Sequence, residues 1–224
     1  VNSLIRSELV EDKNKDIEIA LGRMGVTDDH HSIPIANNQS PIAQTDYIQI
    51  MNSGDILASA DVTERMFKAM GNSLEKNPSI LYGNMIKEWP NGKRNVDTCM
   101  GKNNAKESTL TISETQWTMY DFIKGTINHD PTYIRRDIYE KYGLYDESLK
   151  ICSDWKWFVK TVVFGDESVY YIPMNVTVFD MTGISETNLI ARENERHNEL
   201  EKMLPKAILN DYDTLHFPIS QYKR

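Results

Sequence analysis

The chain has 224 residues, 40% of them hydrophobic and 26% charged, so it is long enough to form one sizeable core. Its formal net charge of -8 argues against nucleic acid as the main partner, because binding a phosphate backbone requires a net basic surface. Two cysteines are too few for a disulfide framework, and no apolar run approaches the roughly 20 residues needed to span a bilayer. A single domain in a reducing compartment, the cytoplasm, is therefore expected.

Residues 1–45 are the least informative part of the sequence. Val1–Ile5 has the pattern of the end of an amphipathic helix, and Asp16–Ile19 has that of a short strand. Asp28–His31 is rich in metal-ligating side chains, but four consecutive residues of a regular backbone cannot all face one ion. A solvated loop is the simpler interpretation of that segment.

Clearer order begins after residue 45. Residues 46–51 have the pattern of a buried strand, and Asp61 and Glu64 have the spacing of a capping box at the start of a helix. The apolar face of that helix repeats with a period of 3.6 residues and comprises Val62, Met66, Phe67, Met70 and Leu74. Ser79–Gly83 is predicted to be the next strand. The order strand, helix, strand indicates a parallel βαβ unit.

Residues 87–116 are predicted to be irregular. After them, the pattern predicts helices over 137–142 and 154–164, a strand over 169–180 and a final helix over 200–208. Gly143 is expected to cap the first of these helices at its C-terminus, and Ser153 to cap the second at its N-terminus. The last helix is expected to be interrupted at Pro205. The charged residues of 193–202 are predicted to form its solvated face.

The turn Asn52-Ser53-Gly54-Asp55 is the first candidate site. A divalent cation bound to a nucleotide diphosphate needs a hard oxygen ligand, which Asp55 supplies, and Gly54 permits the tight turn. The same four residues are equally suited to a plain turn between a strand and a helix, and the motif taken alone favours that interpretation.

The second candidate is Asp154, in the first turn of a predicted helix, where it would act as a general base or simply stabilise the helix start. Trp155 would stack on a sugar ring, although its apolar neighbours favour a place in the core. His129 would contact a diphosphate or a metal ion, and Arg135 or Arg136 would offset phosphate charge. The alternative is a loop histidine with two solvated arginines.

The order of these segments resembles that of family 2 glycosyltransferases with the GT-A fold. Residues 43–55 are similar to the metal-site strand of a bacterial branch in which the metal motif is Asn-Ser-Gly-Asp, and 77–84 are similar to the strand that follows it. Residues 129–147 are similar to the acceptor-side segment. Ser153-Asp154-Trp155 is similar to the element that carries the catalytic base, and 179–185 match the turn after the last strand.

This resemblance, over roughly residues 43–200, implies an α/β fold with one GT-A-like domain over 1–224 and a mostly parallel central sheet flanked by helices. Residues 1–45 would be the nucleotide-binding half, 46–200 the metal and acceptor half, and 201–224 a C-terminal tail. The family's N-terminal strand is not recognisable, so we expect it to be missing or to lie outside these residues. Nucleotide-binding residues are not assigned.

The resemblance also implies an inverting transfer of a sugar from a nucleotide-sugar donor to a glycan or lipid-linked acceptor, in bacterial surface polysaccharide synthesis. Asp55 would bind the cofactor, Mn²⁺ or Mg²⁺, and Asp154 would be the catalytic base. The implied substrate-binding residues are Asn52, Gly54, His129, Arg135 and Trp155. A lipid-linked acceptor would bring the enzyme into peripheral contact with the inner face of the membrane. A non-catalytic sugar- or nucleotide-binding module and a metal-dependent nucleotidyltransferase are the alternatives.

Overall fold

The computed structural model describes residues 17–21, 47–71, 77–98 and 112–215. The predicted helix end at Val1–Ile5, the loop at Asp28–His31 and the apolar residue Leu74 lie outside the described residues. Strands and helices alternate along the described part, which confirms the mixed α/β character predicted from the sequence. Within that part, no helix combines the length and the apolar character that crossing a membrane requires.

The described residues contain eight strands and seven α-helices. The strands are Ile17–Leu21 (β1), Tyr47–Met51 (β2), Ile56–Leu57 (β3), Ile80–Glu88 (β4), Arg94–Asp97 (β5), Ser113–Glu114 (β6), Thr132–Arg135 (β7) and Val169–Asp180 (β8). The helices are Val62–Met70 (α1), Met119–Lys124 (α2), Arg136–Tyr142 (α3), Ser153–Phe158 (α4), Ile184–Thr187 (α5), Leu189–Met203 (α6) and Lys206–Leu215 (α7). A π-helical turn, Val159–Val163, continues α4.

All eight strands belong to one mixed sheet. Its order is β1-β2-β7-β4-β8-β3, with β5 pairing with β4 and β6 pairing with β8. Among the described pairings only β1–β2 and β4–β8 are parallel, and the other five are antiparallel. The prediction of a mostly parallel sheet is therefore wrong.

The two strands of the predicted parallel βαβ unit are not neighbours in the sheet. Strands β2 and β4 run in the same direction, but β7 lies between them and is antiparallel to both. Tyr133 and Ile134, consecutive residues of β7, are both buried, one on each face of the sheet. A strand that is apolar on both faces needs cover on both faces, which the helices packed on the two sides of the sheet provide.

The sheet separates two hydrophobic clusters, because successive side chains of a strand point to opposite faces. One cluster joins the sheet to α1 and includes Tyr47, Leu81, Tyr133 and Tyr170 with Val62, Met66 and Met70. The other joins the sheet to the helices α2, α3 and α4 and includes Ile48, Ile80, Ile134 and Tyr171 with Phe122, Ile138, Trp155 and Phe158. The described fold thus has helices on both faces of the sheet.

The ends of the helices confirm some predictions and correct others. Gly143 follows α3 with φ 78°, as expected for a C-terminal cap, and Leu204 is extended between α6 and α7. The predicted capping box does not form, because the side chain of Asp61 accepts a 2.6 Å hydrogen bond from Ser59 and makes none to the backbone of α1. Ser153 is the first residue of α4 and its hydroxyl donates to the carbonyl of Asp146, so it is not the N-cap.

The register of the pairing between β4 and β8 shifts around Gly83. A Cβ atom at Gly83 would lie 2.5 Å from Val176 Cγ2 and 2.6 Å from the Met174 carbonyl oxygen, so only glycine permits this approach. The N–H of Gly83 donates a 3.1 Å hydrogen bond to the carbonyl of Pro131. This bond fixes the loop that precedes β7 against the centre of the sheet.

Candidate functional site

The turn that carries Asp55 connects two strands of the sheet. Asp55 donates its N–H to the carbonyl of Asn52 at 3.2 Å, and Gly54 has φ 108°, a left-handed value that favours glycine. Asp55 Oδ1 accepts a 2.8 Å hydrogen bond from the N–H of Asp180, the last residue of β8. The carboxylate is buried and lies where β2 and β8 both end.

The loop before β7 reaches the same edge of the sheet. Asp130 is buried, and its Oδ1 accepts a hydrogen bond from the N–H of Asn52 at 3.3 Å. Its backbone carbonyl accepts a 2.6 Å bond from Nε2 of Gln49, a buried polar residue of β2. These two bonds hold Asp130 beside the turn of Asp55.

His129 joins this edge to helix α4. Its Nδ1 lies 3.0 Å from Asp154 Oδ2, and its Nε2 lies 3.3 Å from Asp130 Oδ1. Asp154 is in the first turn of α4, so the imidazole bridges a helix start and a strand end. We refer to the side chains of Asp55, Asp130, His129 and Asp154 as the Asp–His cluster.

The charges of the Asp–His cluster depend on one another. Burial, followed by the neighbouring Asp130, raises the pKa of Asp55 to about 8, although the N–H of Asp180 and the charge of His129 oppose the rise. Burial alone would lower the pKa of His129, but the charges of Asp130 and Asp154 outweigh it and raise the pKa to about 9. Burial would raise the pKa of Asp154, yet the hydrogen bond and charge of His129 hold it below its usual value. Near neutral pH, Asp154 is thus an anion paired with an imidazolium.

The environment of Asp55 fits a divalent cation. Its Oδ2 is buried and accepts no hydrogen bond from a described residue, and its ionised form is disfavoured by burial and by Asp130. The described residues contain no group of three or more His, Cys, Asp or Glu side chains arranged to hold a metal ion. Asp55 and the neighbouring Asp130 are the residues that would contact such an ion, since Mg²⁺ is often bound through one or two carboxylates.

Two predicted substrate-binding residues lie away from the Asp–His cluster. In the pairing of β7 with β2, Arg135 lies opposite Tyr47, the first residue of β2. Asp55 instead follows the last residue of that strand. At about 3.3 Å per residue, the length of β2 places Arg135 roughly 13 Å from that end of the strand. Its guanidinium instead bonds Asp137 at 2.6 Å. Trp155 is 1% exposed, and its Nε1 donates to the Phe122 carbonyl at 2.8 Å, so its ring offers no face to a sugar.

Three residues of the site were not predicted from the sequence: Gln49, Asp130 and Asp180. A polar residue within an apolar strand is a signal for Gln49, because a buried polar side chain must find a partner. Asp180 ends a predicted strand, which is where ligands of an α/β sheet collect. Asp130 is the neighbour of a histidine that was singled out, but nothing local distinguishes it from a turn residue.

No protein-family model and no curated protein matches the chain. Among solved structures it is similar to the crystal structure of S. aureus TarS 1-349, with 12% identity and a TM-score of 0.45 over 76% of this chain and 46% of that chain. A second S. aureus TarS structure shares 14% identity with a TM-score of 0.45, over 80% of this chain and 31% of that chain. The chain spans less than half of either structure.

Proposed function

We propose that this chain is an inverting glycosyltransferase of GT-A-like fold that moves a sugar from a nucleotide-sugar donor to an acceptor hydroxyl. The observation that carries the proposal is the bridge through His129, whose Nδ1 hydrogen-bonds Asp154 Oδ2 at 3.0 Å and whose Nε2 lies 3.3 Å from Asp130 Oδ1. This bridge joins Asp154, the candidate base, to Asp130, the carboxylate beside Asp55. The resemblance of residues 43–200 to family 2 glycosyltransferases supports the same activity.

In the proposed reaction, Asp154 removes the proton of the acceptor hydroxyl. The acceptor oxygen attacks the anomeric carbon, the bond from that carbon to the diphosphate breaks, and the nucleoside diphosphate leaves with the electron pair. His129 holds Asp154 Oδ2, which fixes the orientation of the carboxylate and keeps it ionised. Positioning and ionisation are the two properties that a general base requires.

Asp55 is the proposed ligand of Mn²⁺ or Mg²⁺, with Asp130 beside it. When bound, the ion offsets the negative charge that develops on the leaving diphosphate. The turn residues Asn52 and Gly54 would act by holding Asp55, since Asn52 bonds Asp130 and Gly54 allows the turn. These roles need no contact of either residue with the substrate.

The proposed acceptor is a glycan or a lipid-linked glycan of bacterial surface polysaccharide synthesis. The proposed location is the cytoplasm, at the inner face of the membrane if the acceptor is lipid-linked. Both proposals are based on the sequence resemblance.

A non-catalytic sugar- or nucleotide-binding module of the same fold is the second candidate. The burial of Asp154 favours it, because this side chain is only 14% exposed and already has His129 as a partner. Such a pair would also form in a purely structural cluster. The two candidates differ in the consequence of replacing Asp154, which only the enzyme needs for turnover.

Titration calorimetry of the whole chain against a panel of nucleoside-diphosphate sugars, with and without Mn²⁺, tests the proposal. We expect one donor class to bind, and to bind more tightly with Mn²⁺. Asp55→Asn is the matched variant and should lose the dependence on Mn²⁺ while remaining folded. Failure of every donor to bind under both conditions would contradict the proposed function.

A further inference from the structure

Helix α6 contacts the segment that leads into α4. The carboxylate of Glu195 accepts hydrogen bonds from three consecutive backbone N–H groups, those of Lys150 at 2.8 Å, Ile151 at 2.8 Å and Cys152 at 2.7 Å. Cys152 is the N-cap of α4, and its side chain makes no cap hydrogen bond. A carboxylate from a distant helix therefore satisfies N–H groups at and just before the start of α4.

Two further residues on the same side of α6 reinforce this contact. Glu199 is buried and forms a 2.7 Å ion pair with Lys156, and the guanidinium of Arg196 lies 5.5 Å from the centre of the Trp155 ring. Residues three or four apart share one face of a helix, so α6 presents this charged face to α4. The prediction that the charged residues of 193–202 form a solvated face is wrong for this side of the helix.

We propose that Glu195 is a positioning residue for Asp154. Asp154 follows Cys152 by two residues, so the backbone that Glu195 holds sets where the first turn of α4 begins. A displacement of this turn by about 1 Å would break the 3.0 Å contact between Asp154 and His129 and is the scale of misplacement that slows catalysis. The catalytic consequence depends on the proposed function, whereas the placement of Asp154 against His129 does not.

The variant Glu195→Gln tests the proposal with little change of volume. One acceptor oxygen becomes an NH₂ group, which donates and would face a backbone N–H that also donates. Glu193→Gln is the matched control, because it makes the same change on α6 at a side chain that is 57% exposed. Thermal unfolding establishes the temperature range in which both variants are folded. If Glu195→Gln does not fold, Glu195→Asp keeps the charge and withdraws the carboxylate by one methylene.

The first readout is the imidazole nitrogen signal of His129 in a ¹⁵N-labelled protein, identified by its loss in His129→Gln. We expect this signal to shift in Glu195→Gln and to stay in place in Glu193→Gln. An unchanged signal in Glu195→Gln overturns the positioning role, whether or not the protein transfers sugar.

The second readout is kinetic. We expect Glu195→Gln to lower kcat about 10- to 100-fold with the donor KM unchanged. In an Asp154→Asn background the same substitution should cause no further loss, because its effect acts through Asp154. An equal loss in both backgrounds shows a general structural effect and overturns the proposal. Absence of any transfer by the unsubstituted chain contradicts the proposed function instead, and the nitrogen signal then decides on Glu195.

Discussion

Asp154 Oδ2 lies 3.0 Å from Nδ1 of His129, although 25 residues separate them and one starts a helix while the other precedes a strand. The contact keeps the carboxylate ionised in a buried position, which in water-free surroundings is costly without a partner. His129 in turn depends on the neighbouring carboxylates for its own charge. Each residue therefore stabilises the charged form of the other, and a substitution of either one should alter the charge state of its partner.

Asp154→Asn should abolish most of the proposed transfer activity. The amide cannot accept a proton from the acceptor hydroxyl, so we expect kcat to fall about 10²- to 10⁴-fold. The surface variant Asp211→Asn, on α7, makes the same change at an exposed site and should keep wild-type turnover. Measuring donor consumption and product formation under saturating donor checks this. Wild-type turnover in Asp154→Asn would favour the non-catalytic binding module.

His129→Gln should lower stability and change its dependence on pH. Removing the cation leaves Asp130 and Asp154 without their shared partner, which we expect to cost about 2–4 kcal/mol at pH 7. In the wild type, the folded-state pKa of His129 is raised from 6.5 to about 9, so its stabilising contribution is complete below pH 6.5 and is lost as the pH rises to about 9.

Urea unfolding at pH 6, 7.5 and 9 measures this slope. We expect the loss of stability between pH 6.5 and 9 to be smaller in His129→Gln than in the wild type. His197→Gln changes a solvent-exposed histidine and serves as the control, with a slope like that of the wild type. Identical slopes in all three proteins would show that His129 is not the protonated partner of Asp154.

The sequence predicts long elements well because their signals are local. The strand predicted over 169–180 is observed as Val169–Asp180, and Gly143 caps α3 as expected. Alternating apolar residues and a glycine after a helix act within a few residues, so neighbouring sequence is sufficient to identify them.

The placement of β7 and Arg135 could not be obtained in the same way. A four-residue strand has too little pattern to show its neighbours, and its antiparallel insertion between β2 and β4 depends on contacts far along the chain. That insertion carries Arg135 to the edge of the sheet opposite Asp55. Closeness in sequence to His129 therefore suggested a shared site that the fold does not form.

Asp130 and Glu195 illustrate the same limit within the candidate site. Asp130 acquires its role from a turn 78 residues earlier, and Glu195 from backbone groups 43 to 45 residues earlier. A carboxylate on a helix rich in charged residues is predicted from sequence to be solvated. The partners of Glu195 are backbone N–H groups, which occur along the whole chain and so leave no sequence signal. Only the packing of α6 against α4 distinguishes Glu195.

Asp55→Asn should separate the stability of the site from its function. The raised pKa, about 8 against 3.8 in the unfolded chain, means that ionising Asp55 costs folding stability as the pH rises through that interval. Asparagine removes this cost and still accepts the N–H of Asp180. Without metal at pH 9 we expect the variant to be more stable than the wild type, by on the order of 1–2 kcal/mol.

Thermal unfolding with and without Mn²⁺ and a nucleoside diphosphate completes this test. The wild type should gain stability from the combination, and Asp55→Asn should gain little or none. Asp211→Asn should respond as the wild type does. An equal gain in Asp55→Asn would remove Asp55 from the proposed metal site.

Trp155→Phe should act on stability and leave donor binding unchanged. The substitution deletes the 2.8 Å hydrogen bond to the Phe122 carbonyl and leaves a gap in the core, which together should cost about 2–3 kcal/mol. Trp89→Phe is the control, because Trp89 is only partly buried, and it should cost less than about 1 kcal/mol. A raised donor KM with wild-type stability would instead support stacking of the ring on a sugar.

Gly54→Ala should show how much the site depends on the turn after β2. At φ 108° an L-residue is disfavoured, so we expect a loss of about 1–2 kcal/mol together with weaker Mn²⁺-dependent donor binding, because the turn sets the position of Asp55. Gly71→Ala is the matched control: Gly71 has φ -47°, no described atom lies within 4 Å of a Cβ placed there, and alanine should be neutral or stabilise by up to about 1 kcal/mol. Urea unfolding and calorimetry separate the two effects. If both variants behaved alike, the left-handed turn would have no special part in holding Asp55 against Asp180.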